Sequence, residues 1–220
     1  MLTFLDADAT WRSGRGLRPV SSEQPFGFPG QRSEFWPPLT VPFGGAQLRF
    51  RGLIDRIDLD PTGTVAFISD YKTGSAEGYA GLAADSVAAG QHLQLPLYAA
   101  AVRANLPEVT QVGGDYWFIS SKRKFDRQGI DPDDPAPAER LVEVLELVAR
   151  GIRTGAFPQV PGAPTQESFA NCHACAFDRV CPARRDARWE RKQHDPASAR
   201  HAALARAAAP TAEERLPDDP

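Results

Sequence analysis

The sequence of 220 residues has no long hydrophobic run, and no stretch approaches the roughly 18 apolar residues of a membrane-spanning helix. Nothing at its start resembles a secretory signal peptide. Internal repeats, a Walker phosphate-binding loop and a dinucleotide-binding glycine pattern are also missing. We therefore expect a soluble, cytoplasmic protein, and we expect any ATP-driven motor that works with it to lie outside this sequence.

Basic residues are not in excess. The 25 Lys and Arg are outnumbered by 28 Asp and Glu, which gives a net charge of −3 and a pI near 5.8. A nucleic-acid-binding protein usually has a basic footprint instead. Positive charge is concentrated locally at Lys122, Arg123 and Lys124, with Arg127 nearby. We interpret this run as a candidate DNA contact, and its alternative is a solvated surface.

Cysteine is equally scarce. The three cysteines form the pattern C-x₂-C-x₅-C-P at Cys172, Cys175 and Cys181, and no cysteine precedes them. An odd number of thiols without a secretory signal argues against a disulfide framework. Three thiols so close together favour a metal site instead.

Two runs in the middle of the sequence predict an antiparallel hairpin. One contains Asp55, the other contains Asp70 and Lys72, and residues 60–64 between them carry the proline and glycine of a turn. Side chains alternate between the faces of a strand, so Asp70 and Lys72 share one face and Tyr71 lies on the other. We expect Asp55 to lie opposite residue 68 or 69, within diagonal reach of Asp70.

This convergence of two carboxylates and a lysine has a chemical meaning. Carboxylate oxygens are the ligands that Mg²⁺ and Mn²⁺ prefer, and such ions take the rest of their shell from water and phosphate oxygens. The ion would polarise a scissile phosphate, and Lys72 would orient water or neutralise developing charge. Asp-x-Lys is a common tripeptide, so the alternative is a solvated hairpin edge.

The next segment predicts a helix over residues 91–104. Gln91, Gln94 and Tyr98 lie along one polar stripe, separate from an apolar stripe that serves for packing. Pro96 is compatible with the helix only in its first turn, where backbone donors are unpaired in any case. The polar stripe is either part of a site or a glutamine and a tyrosine that satisfy each other.

Taken in order, these segments resemble a known family. The series Gly52-x-x-Asp55, Asp70-Tyr71-Lys72-Thr73-Gly74 and Gln94-x-x-x-Tyr98 is similar to the motif set of PD-(D/E)XK nucleases of the RecB and AddB type, as is the upstream Glu23-x-Pro25-Phe26. The resemblance implies an α/β fold, with a restriction-endonuclease-like mixed β-sheet flanked by helices and a C-terminal cysteine cluster. It implies a Mg²⁺- or Mn²⁺-dependent deoxyribonuclease, exonuclease rather than endonuclease, that acts in DNA repair or recombination within or beside a helicase-nuclease.

The resemblance also implies residue roles. It assigns catalysis or its support to Asp55, Asp70, Lys72, Gln94 and Tyr98, and metal binding to Asp55, Asp70 and the backbone carbonyl of Tyr71. At the cysteines it implies a [4Fe–4S] cluster held by Cys172, Cys175, Cys181 and one distant upstream cysteine.

The missing fourth ligand leaves two interpretations open. In the first, the chain is a shortened product that lacks upstream helices with the fourth cysteine and the family's active-site histidine. In the second, the site binds Zn²⁺ through three thiolates and His194. The sequence of the first 38 residues has few periodic apolar positions, which favours the first interpretation.

The expected organisation has three parts: an irregular segment over residues 1–38, a nuclease domain over 39–193 that includes the cysteines at 172–181, and a disordered tail over 194–220. Two other functions remain as alternatives. One is a CRISPR-associated RecB-like nuclease, whose second motif usually reads Glu-x-Lys where this sequence has Asp70. The other is a non-catalytic DNA-binding or structural remnant of a truncated nuclease.

Overall fold

The computed structural model describes residues 2–29, 35–43, 46–120, 125–131, 133–134, 136–172 and 175–207. It divides into two compact units, residues 1–142 and 143–220. No described helix is long and apolar enough to cross a membrane. In chain order the helices and strands are α1 (Leu2–Ser13), β1 (Arg18–Phe26), β2 (Leu39–Phe43), β3 (Ala46–Phe50), β4 (Gly52–Leu59), β5 (Val65–Lys72), α2 (Gln94–Asn105), β6 (Gln111–Phe118), β7 (Arg127–Ile130), α3 (Ala136–Thr154), α4 (Arg185–Lys192) and α5 (Ala199–Ala207).

A five-stranded mixed sheet organises the first unit. Its strand order is β1-β4-β5-β6-β7, and every neighbouring pair is antiparallel except β5 and β6. Parallel neighbours need a long crossover, which the segment containing α2 supplies. The short strands β2 and β3 form a separate hairpin. The predicted α/β class, with a mixed sheet flanked by helices, is therefore confirmed.

Helices cover both faces of this sheet. On one face the α1 side chain Phe4 packs on Trp117, with 4.7 Å between ring centroids. On the other face α2 contributes Leu95 to the core that contains Phe118. Trp117 and Phe118, which point to opposite faces of the sheet, are therefore both buried. A strand covered on both faces is apolar at successive positions rather than alternating ones.

The N-terminal segment is regular over much of its length, contrary to the expectation of an irregular segment. Residues 2–13 form α1 and residues 18–26 form β1. The sequence pattern does not predict the helix, because its sheet-facing side includes the charged residue Asp8 beside aromatic residues. The sequence pattern does not predict the strand either, because β1 contains Pro19 and Pro25. It lies at the edge of the sheet and changes register between Pro19 and Ser21.

Three further boundaries differ from those predicted. The run that contains Asp55 is preceded by a separate strand, because the chain leaves the β2–β3 hairpin at Arg51 and enters the main sheet at Gly52. Helix α2 begins at Gln94 rather than residue 91, which places Pro96 in the first turn as its chemistry requires. The tail expected to be disordered contains α5 at residues 199–207, an alanine-rich segment of high helix propensity.

Gly52 occupies a position where a side chain does not fit. A Cβ atom there would lie 2.7 and 2.8 Å from ring carbons of Phe26 and 3.0 Å from one of Tyr98. We predict that Gly52→Ala lowers the free energy of unfolding by about 1–3 kcal/mol, the usual penalty for overpacking a core. Gly81→Ala is the matched control, because a Cβ atom at residue 81 would meet no neighbouring atom within 4 Å. Equal denaturant midpoints for the two variants would contradict this account.

Candidate active site

The predicted hairpin is present, with a register that differs from the expected one. Arg56 lies opposite Ser69 and Ile57 opposite Ile68, so residues 68 and 69 do not face Asp55. The turn is held by Asp60, whose carboxylate accepts the N–H groups of Thr62, Thr64 and Val65. These bonds shift the hairpin pairing by a residue or two from a simple count about the turn.

Beyond Arg56 and Ser69, a side chain takes the place of the backbone ladder. The Asp55 Oδ2 atom accepts the backbone N–H of Tyr71 at 2.8 Å. In an antiparallel pair the N–H and C=O of one residue point toward the same neighbouring strand. The Tyr71 carbonyl therefore lies on the same edge of β5 as the N–H that contacts Asp55.

The other four predicted side chains form one connected array. Asp70 is only 2 % exposed and forms an ion pair with Lys72. The Lys72 Nζ donates to Gln94 Oε1 at 3.1 Å. The Gln94 Nε2 in turn donates to the Tyr98 hydroxyl at 3.0 Å. Helix α2 thus delivers the Gln and Tyr of its first two turns to the end of β5.

Burial and like charge shape the electrostatics of this array. Burial raises the pKa of Asp70, the Lys72 ammonium opposes that shift, and the Asp55 charge adds to it. Burial also raises the pKa of Tyr98, and the charges of Asp70 and Asp55 act in the same direction, against the Gln94 hydrogen bond. Two neighbouring carboxylates that repel each other, beside a backbone carbonyl, form a set of hard oxygen donors. That set fits a Mg²⁺ or Mn²⁺ ion.

Sequence reasoning missed the aromatic side of the site. The Lys72 Nζ lies 5.2 Å from the centroid of the Tyr116 ring. The rings of Tyr79, Tyr116 and His92 contact one another, with centroid distances of 4.7 Å for Tyr79–Tyr116, 4.3 Å for Tyr79–His92 and 5.8 Å for His92–Tyr116. A lone histidine at this place in the sequence favours a surface position, but His92 is half-buried and its Nε2 bonds the Gly78 carbonyl at 2.9 Å. The Gln-x-x-x-Tyr spacing gave no signal for partners contributed by β6 and by the segment before α2.

Other sequence-predicted residues do not join the array. Gln91 is exposed and precedes α2. Lys122, Arg123 and Lys124 lie outside the described residues, so their proposed DNA contact stays a prediction. Arg127 is not part of a DNA path, because its guanidinium is stacked between Trp11 and Trp117 and paired with Asp115.

The cysteines of the second unit are not gathered into a metal site. Cys172 is buried, Cys181 is half-buried and Cys175 is exposed. Within the described residues, no three His, Cys, Asp or Glu side chains come close enough to hold a metal ion. His194 is exposed. The described residues therefore show no preformed cluster or zinc site at these thiols, and residues 173–174 between the cysteines lie outside the described part of the chain.

Comparison with known proteins places the chain in a family. A sequence model of the PD-(D/E)XK nuclease superfamily matches residues 2–182. A comparison with curated proteins found no match. Among solved structures, one described as "Crystal structure of SSO0001" is similar at 16 % identity, over 83 % of this chain and 68 % of that chain, with a TM-score of 0.38.

The family match covers most of the chain, so the chain belongs to the PD-(D/E)XK nuclease superfamily. Nuclease activity is the general activity of that superfamily. The match begins at residue 2 and therefore includes α1 and β1. From the sequence we expected both segments to lie outside the nuclease domain.

The raised pKa of Asp70 predicts how the stability of the fold changes with pH. A carboxyl whose pKa is raised in the folded state stabilises the fold below its unfolded pKa, and this contribution is lost as the pH rises through the folded value. Asp70→Asn removes the buried negative charge of residue 70. Lys72 keeps its hydrogen bond to Gln94 and remains partly exposed to solvent. We expect the metal-free variant to melt about 2–4 °C higher at pH 7, the effect of about 1 kcal/mol in a chain of this length. The difference should vanish below about pH 4.

Asp85 is the matched control, because its pKa is lowered. Burial opposes its ionisation, but Arg140 and the N–H groups of Ala89 and Val87 outweigh that effect. Asp85→Asn should therefore lower the melting temperature at pH 7. Thermal unfolding in EDTA measures both variants, and a lower melting temperature for Asp70→Asn would show that Asp70 stabilises the metal-free fold.

Proposed function

We propose that the first unit hydrolyses DNA phosphodiesters with Mg²⁺ or Mn²⁺. The observation that carries the proposal is the connected array in which Asp70, Lys72, Gln94 and Tyr98 lie beside the Asp55 carboxylate. Asp55, Asp70 and the Tyr71 carbonyl would hold the ion. When bound, it would polarise the scissile phosphate and lower the pKa of a bound water.

The side chains of the array have separate tasks. An ammonium group has three N–H donors, and Lys72 directs two of them to Asp70 and Gln94. The third is available for a phosphate oxygen or the attacking water. Gln94 and Tyr98 fix the direction of the Lys72 side chain, so its charge is positioned before the substrate arrives. Burial raises the pKa of Asp70, the Lys72 ammonium opposes that shift, and a bound cation would further favour the ionised carboxylate.

We extend this proposal to the type of nuclease and to its biological role. The order and spacing of the three motifs support a nuclease of the RecB and AddB type, an exonuclease that acts in DNA repair or recombination beside a helicase in the cytoplasm. Asp70 in the second motif speaks against the CRISPR-associated alternative, which usually has Glu there. The hydrogen-bonded connection of Asp70, Lys72, Gln94 and Tyr98 favours a catalytic site over a non-catalytic remnant.

Substitution of the array tests the activity. We expect Asp70→Asn and Lys72→Ala each to reduce Mg²⁺-dependent cleavage of end-labelled linear DNA by about 100-fold or more. Circular DNA should resist the wild-type protein if the enzyme is an exonuclease. Asp6→Asn, which changes an exposed carboxylate of α1, should cleave like the wild type. Wild-type rates in either array variant, or undiminished cleavage in EDTA, would refute the proposal.

The cysteines support a second proposal, a metal-binding role for the second unit. Since the thiols are not gathered, metal binding there would be coupled to local ordering of residues 172–181. Anaerobic reconstitution with iron and sulfide distinguishes a cluster from zinc, because only a cluster gives broad visible absorption. If zinc is the native metal, the chain should take up one Zn²⁺, and His194→Ala should weaken it. Uptake of neither metal, or equal uptake after Cys172→Ser, would rule out a site at these cysteines.

A further inference from the structure

Charged side chains are buried on the face of the sheet opposite the carboxylate pair. Arg56 of β4 is 8 % exposed and Asp58 is fully buried. Arg56 Nη1 donates to Asp8 of α1 at 2.8 Å, and Arg56 Nη2 pairs with Asp58 at 2.9 Å. Ions at this depth destabilise a fold unless they are paired and hydrogen-bonded. Two carboxylates thus hold one guanidinium in a fixed place.

The same guanidinium reaches the strand that carries Asp70 and Lys72. Arg56 Nη1 lies 2.8 Å from the Tyr71 hydroxyl, to which it donates, and Nη2 donates to the Ser69 hydroxyl at 3.3 Å. The guanidinium carbon also lies 5.7 Å from the centroid of the Tyr71 ring. Arg56 therefore ties β4 to β5 by side-chain contacts on the α1 face of the sheet.

Tyr71 is consequently held from both sides. Its hydroxyl accepts a hydrogen bond from Arg56, while its backbone N–H donates to Asp55 at 2.8 Å. The backbone pairing of β4 with β5 runs from Leu59 only as far as Arg56. At residue 71 the two strands are joined by the side chains of Asp55 and Arg56, one for each face of the sheet.

We propose that Arg56 is a positioning residue for the metal-binding carboxylates. By fixing the Tyr71 side chain, it fixes the Tyr71 peptide, which orients Asp55 and follows directly on Asp70. The chain of contacts runs from Asp8 of α1 through Arg56 and Tyr71 to Asp55, so α1 supports the site from the opposite face. This inference rests on the proposed function, because it explains how that same site is held in shape.

Partners that orient metal ligands typically change metal affinity by about 10- to 100-fold when removed. Tyr71→Phe keeps the ring and deletes only the hydroxyl. We expect it to raise the Kd of the DNA-free full chain for Mn²⁺ about 10-fold, measured from the electron paramagnetic resonance signal of free Mn²⁺. The Mn²⁺ concentration for half-maximal cleavage should rise by the same factor, and the rate at saturating Mn²⁺ should recover.

Arg56→Lys should shift Mn²⁺ affinity in the same direction. Because both changes remove the same hydrogen bond, the double variant should bind Mn²⁺ no more weakly than Arg56→Lys alone. Arg140→Lys is the control, since it alters an arginine pair with Asp85 in which the arginine is likewise partly buried. It should lower the melting temperature and leave Mn²⁺ affinity unchanged.

The outcomes separate this inference from the proposed function. A folded Tyr71→Phe with wild-type Mn²⁺ affinity, in a protein that binds Mn²⁺ and cleaves DNA, would overturn the positioning role alone. A wild-type protein that neither binds Mn²⁺ nor cleaves DNA would overturn the proposed function and the positioning role with it. If Arg56→Lys does not fold, Tyr71→Phe still decides, because it removes no charge.

Discussion

The hydrogen bond from the Tyr71 N–H to the Asp55 carboxylate is the contact on which the site depends. It occurs where the backbone pairing of β4 and β5 has ended, and it brings the carboxylate of one strand to the peptide that follows Asp70 on the other. Without that divergence, ladder bonds would occupy the Tyr71 N–H and C=O groups. The space between the strand ends is thus created by the backbone and lined by oxygen atoms.

The two faces of the sheet carry different arrangements of charged side chains. One face carries a carboxylate pair, in which burial and then the charge of Asp55 raise the pKa of Asp70. The other face carries Arg56 between Asp8 and Asp58, and Arg127 against Asp115. On the second face each of these carboxylates is paired with an arginine, whereas on the first face two carboxylates lie beside the single ammonium group of Lys72. A divalent cation would neutralise the excess negative charge of the first face. In the metal-free protein that excess charge destabilises the fold.

Much of the site was predictable from the sequence, because its residues are close together and obey simple periodicities. The two-residue alternation placed Asp70 and Lys72 on one face, and the four-residue spacing placed Gln94 beside Tyr98. The exact register was not predictable, since Asp60 adjusts the turn through contacts that propensity does not encode. The sheet class was expected from the family resemblance and not from an apolar pattern, because the central strands β4 and β5 include charged residues such as Asp58 and Asp70.

The elements that were missed owe their structure to distant partners. Helix α1 has no clean apolar stripe because its Asp8 is matched by Arg56, which lies 48 residues away. Strand β1 is interrupted by prolines that only an edge position tolerates. Tyr79 and His92 stack against β6 from a segment with no helical or strand period. In each case the determining contact is tertiary, so no local signal in the sequence represents it.

The proposed function requires a divalent metal site at the ends of β4 and β5. A crystal structure of the protein soaked in Mn²⁺, with anomalous scattering used to locate the ion, tests it most directly. We expect one peak between the Asp55 and Asp70 carboxylates, within about 2.0–2.3 Å of an oxygen of each and of the Tyr71 carbonyl. A crystal that shows no peak there at millimolar Mn²⁺, with both carboxylates ordered and unobstructed, would contradict it.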